Sequence, residues 1–288
     1  AGGAQAAAED FDAKVEVLMP EVEEDVPSQT RLLLSLDPKS LDGAAVSPLD
    51  AQTQSGVINR LSLESLIITV DSDAPQSNRM SYVGASNYAA GKQCGQLVQE
   101  ALPDGGKVVL LLANLTKDNM IERKRGIEDE FAELKESARE SGADYEIAEV
   151  LLDEGDLKKC QQQLTDLLKS RDDIGCVVGM NGYDASIMVK CAEAAERSGD
   201  VKLIGFDAID DTLDLVADGR IYATVAQDPY QYGYHAVRVL CDYCRRREGY
   251  LPLTGVRSTL NIQTKPIRKD NVEEFRESSQ KQLKKLTA

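Results

Sequence analysis

The chain is short of positive charge. Its 33 Lys and Arg face 49 Asp and Glu, a formal net charge of −16, which repels phosphate backbones and anionic lipid, since both are bound by clustered cations. Nucleic acid is therefore not an expected partner. Long apolar runs are missing too: none approaches the roughly 20 residues that span a bilayer, and no basic and apolar leader opens the sequence. The one histidine, His235, stands mid-helix in YQYGYHAVRVL with no nucleophile pattern beside it, and reads as structural or exposed. No GxSxG, P-loop, HExxH or GxGxxG signature occurs, so neither catalysis nor a cofactor is expected. The six cysteines (Cys94, Cys160, Cys176, Cys191, Cys241, Cys244) follow no disulfide rhythm and read mostly as buried thiols. Cys241 and Cys244 form a CxxC without a second ligand pair, whereas a zinc site takes about four ligands. No metal is expected.

What the sequence does contain is alternation. A length of 288 residues argues for about two domains. Short apolar runs (VEVLM, AAVSP, LIITVD, KVVLLLA, EIAEVLL, CVVGM, LIGFD, ATVAQ) alternate with amphipathic stretches, the pattern of a mostly parallel sheet covered by helices on both faces. Helices are expected over 27–36, 51–62, 88–102, 119–141, 157–170, 185–198, 209–218 and 230–247, with Ser28 and Asp50 as caps. RESSQKQLKK near the end reads as a solvated helix face or a frayed tail. Residues 1–11 read as an Ala-rich helix with no strand before it, unlike every later helix. No low-complexity linker separates two beads, so two lobes joined by several crossings are expected, at 84–87, 227–228 and 258–261, where Gly, Asn, Pro or Ser turns the chain.

In open parallel sheets, ligands bind beyond the carboxyl ends of strands. Ser47 and Asp50 follow AAV, Asp71, Ser72 and Asp73 follow LIITV, Asn181 follows CVVGM, Asp207 follows LIGF and Gln227 follows ATVA. Any one of them is readily a cap or turn residue. Five strands ending this way make a ring of acceptors and donors suited to vicinal hydroxyls. In NMIERKRGIEDEF, Arg123 and Arg125 lie on different helix faces; Arg123, near the helix start, is the better ligand candidate and Arg125 a surface charge by default. Tyr88, Tyr183 and Tyr230 are open to two readings, stacking on an apolar sugar face or packing at the crossings. Asp71 and Asp73 point the same way from a strand end, yet no opposing carboxylate completes a glycosidase pair.

At these positions the chain resembles the periplasmic sugar-binding proteins of the ribose-binding type over nearly its whole length. DGAAVSPLDAQ is similar to the family's "D-G-I-x-I-x-P-x-D" segment, LIITVDSDAP to its strand ending in a ligand-binding Asp, and ERKRGIEDEF to its R-x-R-G helix. CVVGMN resembles the strand ending in Asn, LIGFDAID the G-F-D strand end, and ATVAQDPYQYGYHAV the "A-x-x-A-Q-x-P" crossing. The resemblance implies two doubly wound α/β lobes with parallel sheets, joined by a three-strand hinge, with the ligand in the interlobe cleft. One lobe takes 1–85 plus 228–259, without the family's opening strand and its sugar-stacking aromatics; the other takes 86–227 plus 260–288. It further implies ligand contacts from Asp71, Arg123, Asn181, Asp207 and Gln227, flanking ones from Ser47 and Phe206, and a weaker one from Asn119. Ser72 stands where the ribose binder has an Arg, and DSD adds a second carboxylate at Asp73. The implied function is a monomeric, periplasmic or otherwise extracytoplasmic binding protein, not an enzyme, that closes on a monosaccharide or similar polyol and delivers it to an ABC permease. The same core occurs in lactose-repressor-type regulators and chemoreceptors, which stand as the alternative. Asp207→Ala is expected to leave folding intact and to weaken binding about tenfold or more, since one lost charge-assisted bond is of that order.

Overall fold

The computed structural model describes residues 2–22, 24–137, 143–245 and 258–286, the last six by backbone alone. In chain order it begins with α1 (Gly2–Asp10), α2 (Val26–Ser35), a 3-10 turn at Pro38–Ser40, β1 (Gly43–Val46), α3 (Ser55–Leu61), β2 (Leu66–Val70) and β3 (Tyr82–Gly84). There follow α4 (Asn87–Ala101), β4 (Gly105–Leu112), α5 (Asp118–Ser137), β5 (Asp144–Leu152), α6 (Leu157–Ser170), β6 (Ile174–Gly179) and α7 (Asp184–Ala194). Last come β7 (Lys202–Phe206), α8 (Asp210–Ala217), β8 (Ala223–Ala226), α9 (Pro229–Cys244), β9 (Thr259–Asn261), β10 (Lys265–Arg268) and α10 (Val272–Leu286).

Two compact units divide the chain: the first takes 1–86, 116–119 and 228–263, the second 87–115, 120–227 and 264–288. The sheet of the first unit has the order β1-β2-β3-β9, all parallel. That of the second has the order β10-β8-β7-β6-β4-β5, parallel except for β10, which runs antiparallel to β8. Each has the α/β character expected from the alternation.

The apolar runs become strands because both of their faces are covered. In β4, Val109 and Leu111 join one apolar cluster while Val108, Leu110 and Leu112 join another. Successive side chains point to opposite faces, so a strand buried on both sides reads as an unbroken apolar run. Ile67 and Ile68 of β2 divide in the same way between two clusters of the first unit. Helix starts follow local chemistry: the side chains of Asp25, Asp156 and Asp228 accept from the backbone N–H of Ser28, Lys159 and Gln231, at α2, α6 and α9, satisfying donors that the first turn leaves free. The cap of α2 is thus Asp25, three residues before the expected Ser28, which donates to it. Arg197 closes the other end of α6, its guanidinium donating to the carbonyls of Leu168, Arg171, Asp172 and Ile174.

One expected strand is absent. VEVLM lies in a stretch, 13–20, that carries no ladder, and Val17 and Met19 are 55% and 71% exposed. A strand needs a neighbour to satisfy its backbone, and among the described residues no strand pairs with this stretch. The structure also contains three strands of three or four residues, β3, β9 and β10, which the apolar pattern does not announce, and it makes RESSQKQLKK part of α10. All six cysteines are free thiols; five are buried and Cys244 is exposed. Burial pushes the Cys94 thiol up to about 12. Among the described residues no helix is long and apolar enough to cross a membrane, and no cluster of His, Cys, Asp or Glu could hold a metal ion.

Candidate functional site

In the second unit, five of the expected residues, Arg123, Asn181, Phe206, Asp207 and Gln227, lie at the carboxyl ends of β6, β7 and β8 and on α5. Arg123, one turn into α5, is 3% exposed. Its Nε donates to Asn87 Oδ1 at 3.0 Å and its Nη1 to the Met180 carbonyl at 2.7 Å. The Gln227 amide is satisfied in one orientation, in which its Oε1 accepts from Arg123 Nη2 at 2.7 Å and its nitrogen donates to Asp207 Oδ1 at 3.2 Å. Three of the five guanidinium N–H donors are thus used in fixing one planar group. Phe206, fully buried, lies beneath that plane, with Arg123 Cζ 3.9 Å from the ring centroid. Such a desolvated cation over an aromatic face is worth on the order of 2 kcal/mol. Phe206 therefore acts as a platform for Arg123 rather than as a surface of its own. Arg125 points outward, paired with Glu122 and set over the Tyr88 ring.

Two glycines bring α5 to this position. A Cβ on Gly126 would lie 2.2 Å from the Tyr88 carbonyl oxygen, and one on Gly91 would lie 2.0 Å from the Arg123 carbonyl oxygen. Any side chain there drives α4 and α5 apart, so the Gly that follows the two arginines sets the depth at which Arg123 sits.

Asp207 has a left-handed backbone, φ +64°. Its N–H donates to the Val225 carbonyl at 2.9 Å, and its carbonyl accepts from Thr224 Oγ1 at 2.7 Å. Asn181 is buried just after β6; its backbone N–H and its Nδ2 both donate to Asp184 Oδ2, at 2.9 and 3.1 Å. Burial pushes Asp184 up to about 7, against the bonds it accepts from Asn181, and nearby Asp153 raises it further.

In the first unit, Asp71 has the same φ of +64° after β2, with the Ser47 hydroxyl donating to its Oδ2 at 3.5 Å. Asp73 has another task. It is buried and paired with Arg79 through Nε and Nη2, and it also accepts from the Thr69 hydroxyl and the Ala74 N–H. A carboxylate with that many partners is structural, because an unpaired buried charge would be far costlier. Asn119 falls with the first unit and is buried, its Oδ1 without a hydrogen-bond partner. Tyr183 donates to Asp153 at 2.7 Å and Tyr88 to Asp129 at 3.0 Å.

Sequence reasoning passed over Asn87, Arg79, Gln29 and Asp184. Asn87 had a signal, since it sits in the turn read as a crossing. Gln29 donates to the Ser47 carbonyl and accepts from the Leu49 N–H, both at 3.0 Å, pinning the turn that carries Ser47; being mid-helix, it gave none.

The family described as "Periplasmic binding protein domain" matches residues 1–248. The chain belongs to that family. As a periplasmic binding protein it is 25% identical over 236 residues to the ribose import binding protein RbsB of Haemophilus influenzae, covering 80% of this chain and 75% of that protein. To the ribose import binding protein of Salmonella typhimurium it is 26% identical over 196 residues, and there it spans 62% of the relative's length. Among solved structures, the glucose-galactose binding protein GanP of Geobacillus stearothermophilus superposes with a TM-score of 0.82 at 27% identity, covering 93% of this chain and 91% of that one. A D-arabinose complex of an ABC transporter solute binding protein from Burkholderia graminis, at 23% identity and TM-score 0.83 over 94% and 90% of the two chains, shares the fold. These relatives are binding proteins by name.

Proposed function

We propose that this chain is an exported, non-enzymatic solute-binding protein that captures a monosaccharide and delivers it to an ABC permease, with Arg123, Asn181, Asp207 and Gln227 as its main anchors. The observation that carries this reading is the connected array in the second unit, where a carboxylate, an amide and a guanidinium are already linked to one another in a row. A sugar hydroxyl donates one bond and accepts others, and neighbouring hydroxyls of a ring engage neighbouring acceptors and donors of such a row. The N–H groups of Arg123 beyond those used by Asn87, Met180 and Gln227 are offered to the ligand, and the Asp207 carboxylate accepts from it. The sugars in the relatives' names, ribose, glucose and galactose, support a pentose or hexose as the substrate. Asp71 and Ser47 of the first unit are proposed as further sugar contacts, on the strength of the same left-handed strand-end turn that carries Asp207. Nothing in the relatives favours a regulator.

The test is a thermal-shift panel on ligand-stripped protein with D-ribose, D-allose, D-arabinose, D-glucose and D-galactose. A ligand at about 100 times its Kd stabilises the folded state by about 2.7 kcal/mol, so a rise in Tm of several degrees with one sugar, with the sugar recovered unchanged, is expected. No shift with any of them at millimolar concentration overturns the proposal.

A further inference from the structure

Asp184 is a fully buried carboxyl at the first residue of α7, three residues after Asn181. Room for it is made by Gly179, where an added Cβ would lie 2.4 Å from the Asp184 Cβ. Its Oδ2 takes both the backbone N–H and the side-chain Nδ2 of Asn181, while its Oδ1 is buried without a hydrogen-bond partner. The groups packed around it do little to favour its charge. From the loop after β5 comes the buried Asp153, itself accepting from Tyr183 Oη and the Gly155 N–H. From α6 comes the buried Cys160 thiol, which burial above all, and then Asp184 and Asp153, hold in its protonated form. The Asn181 and Met180 bonds are the stabilising contacts.

We propose that Asp184 is a positioning residue that fixes which end of the Asn181 amide faces the ligand, so that sugar affinity depends on the protonation of this one buried carboxyl. This deepens the proposed function and rests on it. The argument is one of hydrogen-bond sense. An ionised carboxylate only accepts, so it tolerates only the NH2 end of Asn181, and Oδ1 is turned outward as an acceptor for a sugar hydroxyl. A protonated Asp184 carries an O–H. It can donate to Asn181 Oδ1 once the amide has turned by half a revolution, which presents an NH2 donor instead and mismatches the same hydroxyl. The turn alongside lies against the other ligand group: a Cβ on Gly182 would be 3.2 Å from Asp207 Oδ2. Burial sets the switch near neutrality, at about 7, where an ordinary Asp titrates near 3.9.

The experiment has two arms. Calorimetric titration of D-ribose into the full chain between pH 5.5 and 8.5 is expected to show affinity rising about tenfold with pH, and Asp184→Asn, which keeps an acceptor without a charge, is expected to bind with no such pH dependence. Binding of D-ribose that is equally tight across this range in the unaltered protein overturns the inference. The second arm needs no sugar. In the ligand-free protein, the Asn181 side-chain amide resonances are expected to titrate near pH 7, and to be flat in Asp184→Asn; amide resonances that ignore pH in the unaltered protein overturn the inference too. If D-ribose does not bind at any pH, the ribose reading fails while the resonances still decide the role of Asp184. His235, the other group with its ordinary pKa near neutrality, lies on α9 in the first unit, and the Asn variant leaves it in place.

Discussion

The two units build the same turn and equip it differently. Asp71 follows β2 and Asp207 follows β7, each with φ +64°. Each N–H donates to a valine carbonyl on the next strand, Val83 or Val225, and each carbonyl accepts a hydroxyl from that strand, Tyr82 Oη at 2.8 Å or Thr224 Oγ1 at 2.7 Å. The left-handed conformation is one that Asp and Asn adopt more readily than other side-chain-bearing residues, and backbone strain of this kind clusters at functional positions. Around the second turn the side chains form a connected polar array, with Gln227 bridging Asp207 to Arg123 over Phe206. Around the first, the strongest electrostatic contact is internal, between Asp73 and Arg79. The backbone device is shared; the proposed recognition chemistry is concentrated in the second unit and the structural chemistry in the first.

The largest way to break this comparison is Arg79→Leu. It leaves the Asp73 carboxylate buried without its cation and is expected to cost about 3–5 kcal/mol, read as a loss of stability in urea. Survival of full stability would mean that the pair is not what holds the first turn. Next is Gly126→Ala, which forces α5 away from the Tyr88 carbonyl and is expected to cost about 1–3 kcal/mol and to weaken D-ribose binding with it, since Arg123 moves with the helix. An unchanged dissociation constant would separate Arg123 from the site. The smallest effects sharpen the comparison. Asp71→Ala and Asp207→Ala are each expected to lose about 1–2 kcal/mol of stability, because alanine is strained at a left-handed φ, whereas the two Asn variants keep their stability. Affinity then distinguishes the units: about tenfold lost in Asp207→Asn against about threefold in Asp71→Asn, in line with a charge-assisted bond in one and a weaker contact in the other. At that modest cost the Asp207→Ala variant is still expected to fold, and the Asn variant gives the cleaner reading of affinity.

Much of this was legible in the residues. Runs such as KVVLLLA announced their strands because burial on both faces leaves no polar positions, and Asn181, Asp207 and Gln227 stood out because they follow such runs directly. The spacing of Arg123 and Arg125 told that they lie on different faces, and the place of Arg123 near the helix start made it the inward candidate. The rest rests on partners distant in sequence or on short elements. β3 and β9 are three residues each, too short for a period to show, and VEVLM has the composition of a strand without the neighbour that makes one. The DSD run gives no sign that Asp73 serves Arg79, which lies six residues further along an irregular stretch. The tie of Asn181 to Asp184 looks in sequence like any polar residue at a helix start.

The free thiols place the chain at odds with an oxidising compartment, where unpaired cysteines are uncommon. Their placement answers the difficulty. Thiolate, not thiol, is what exchanges with disulfides, and burial holds Cys94 and Cys160 each at about 12, so oxidants find neither access nor a nucleophile until the fold opens. Five cysteines thus serve as silent clocks: the rate at which a thiol reagent consumes them, beyond the single equivalent taken by Cys244, counts how often the native core comes apart.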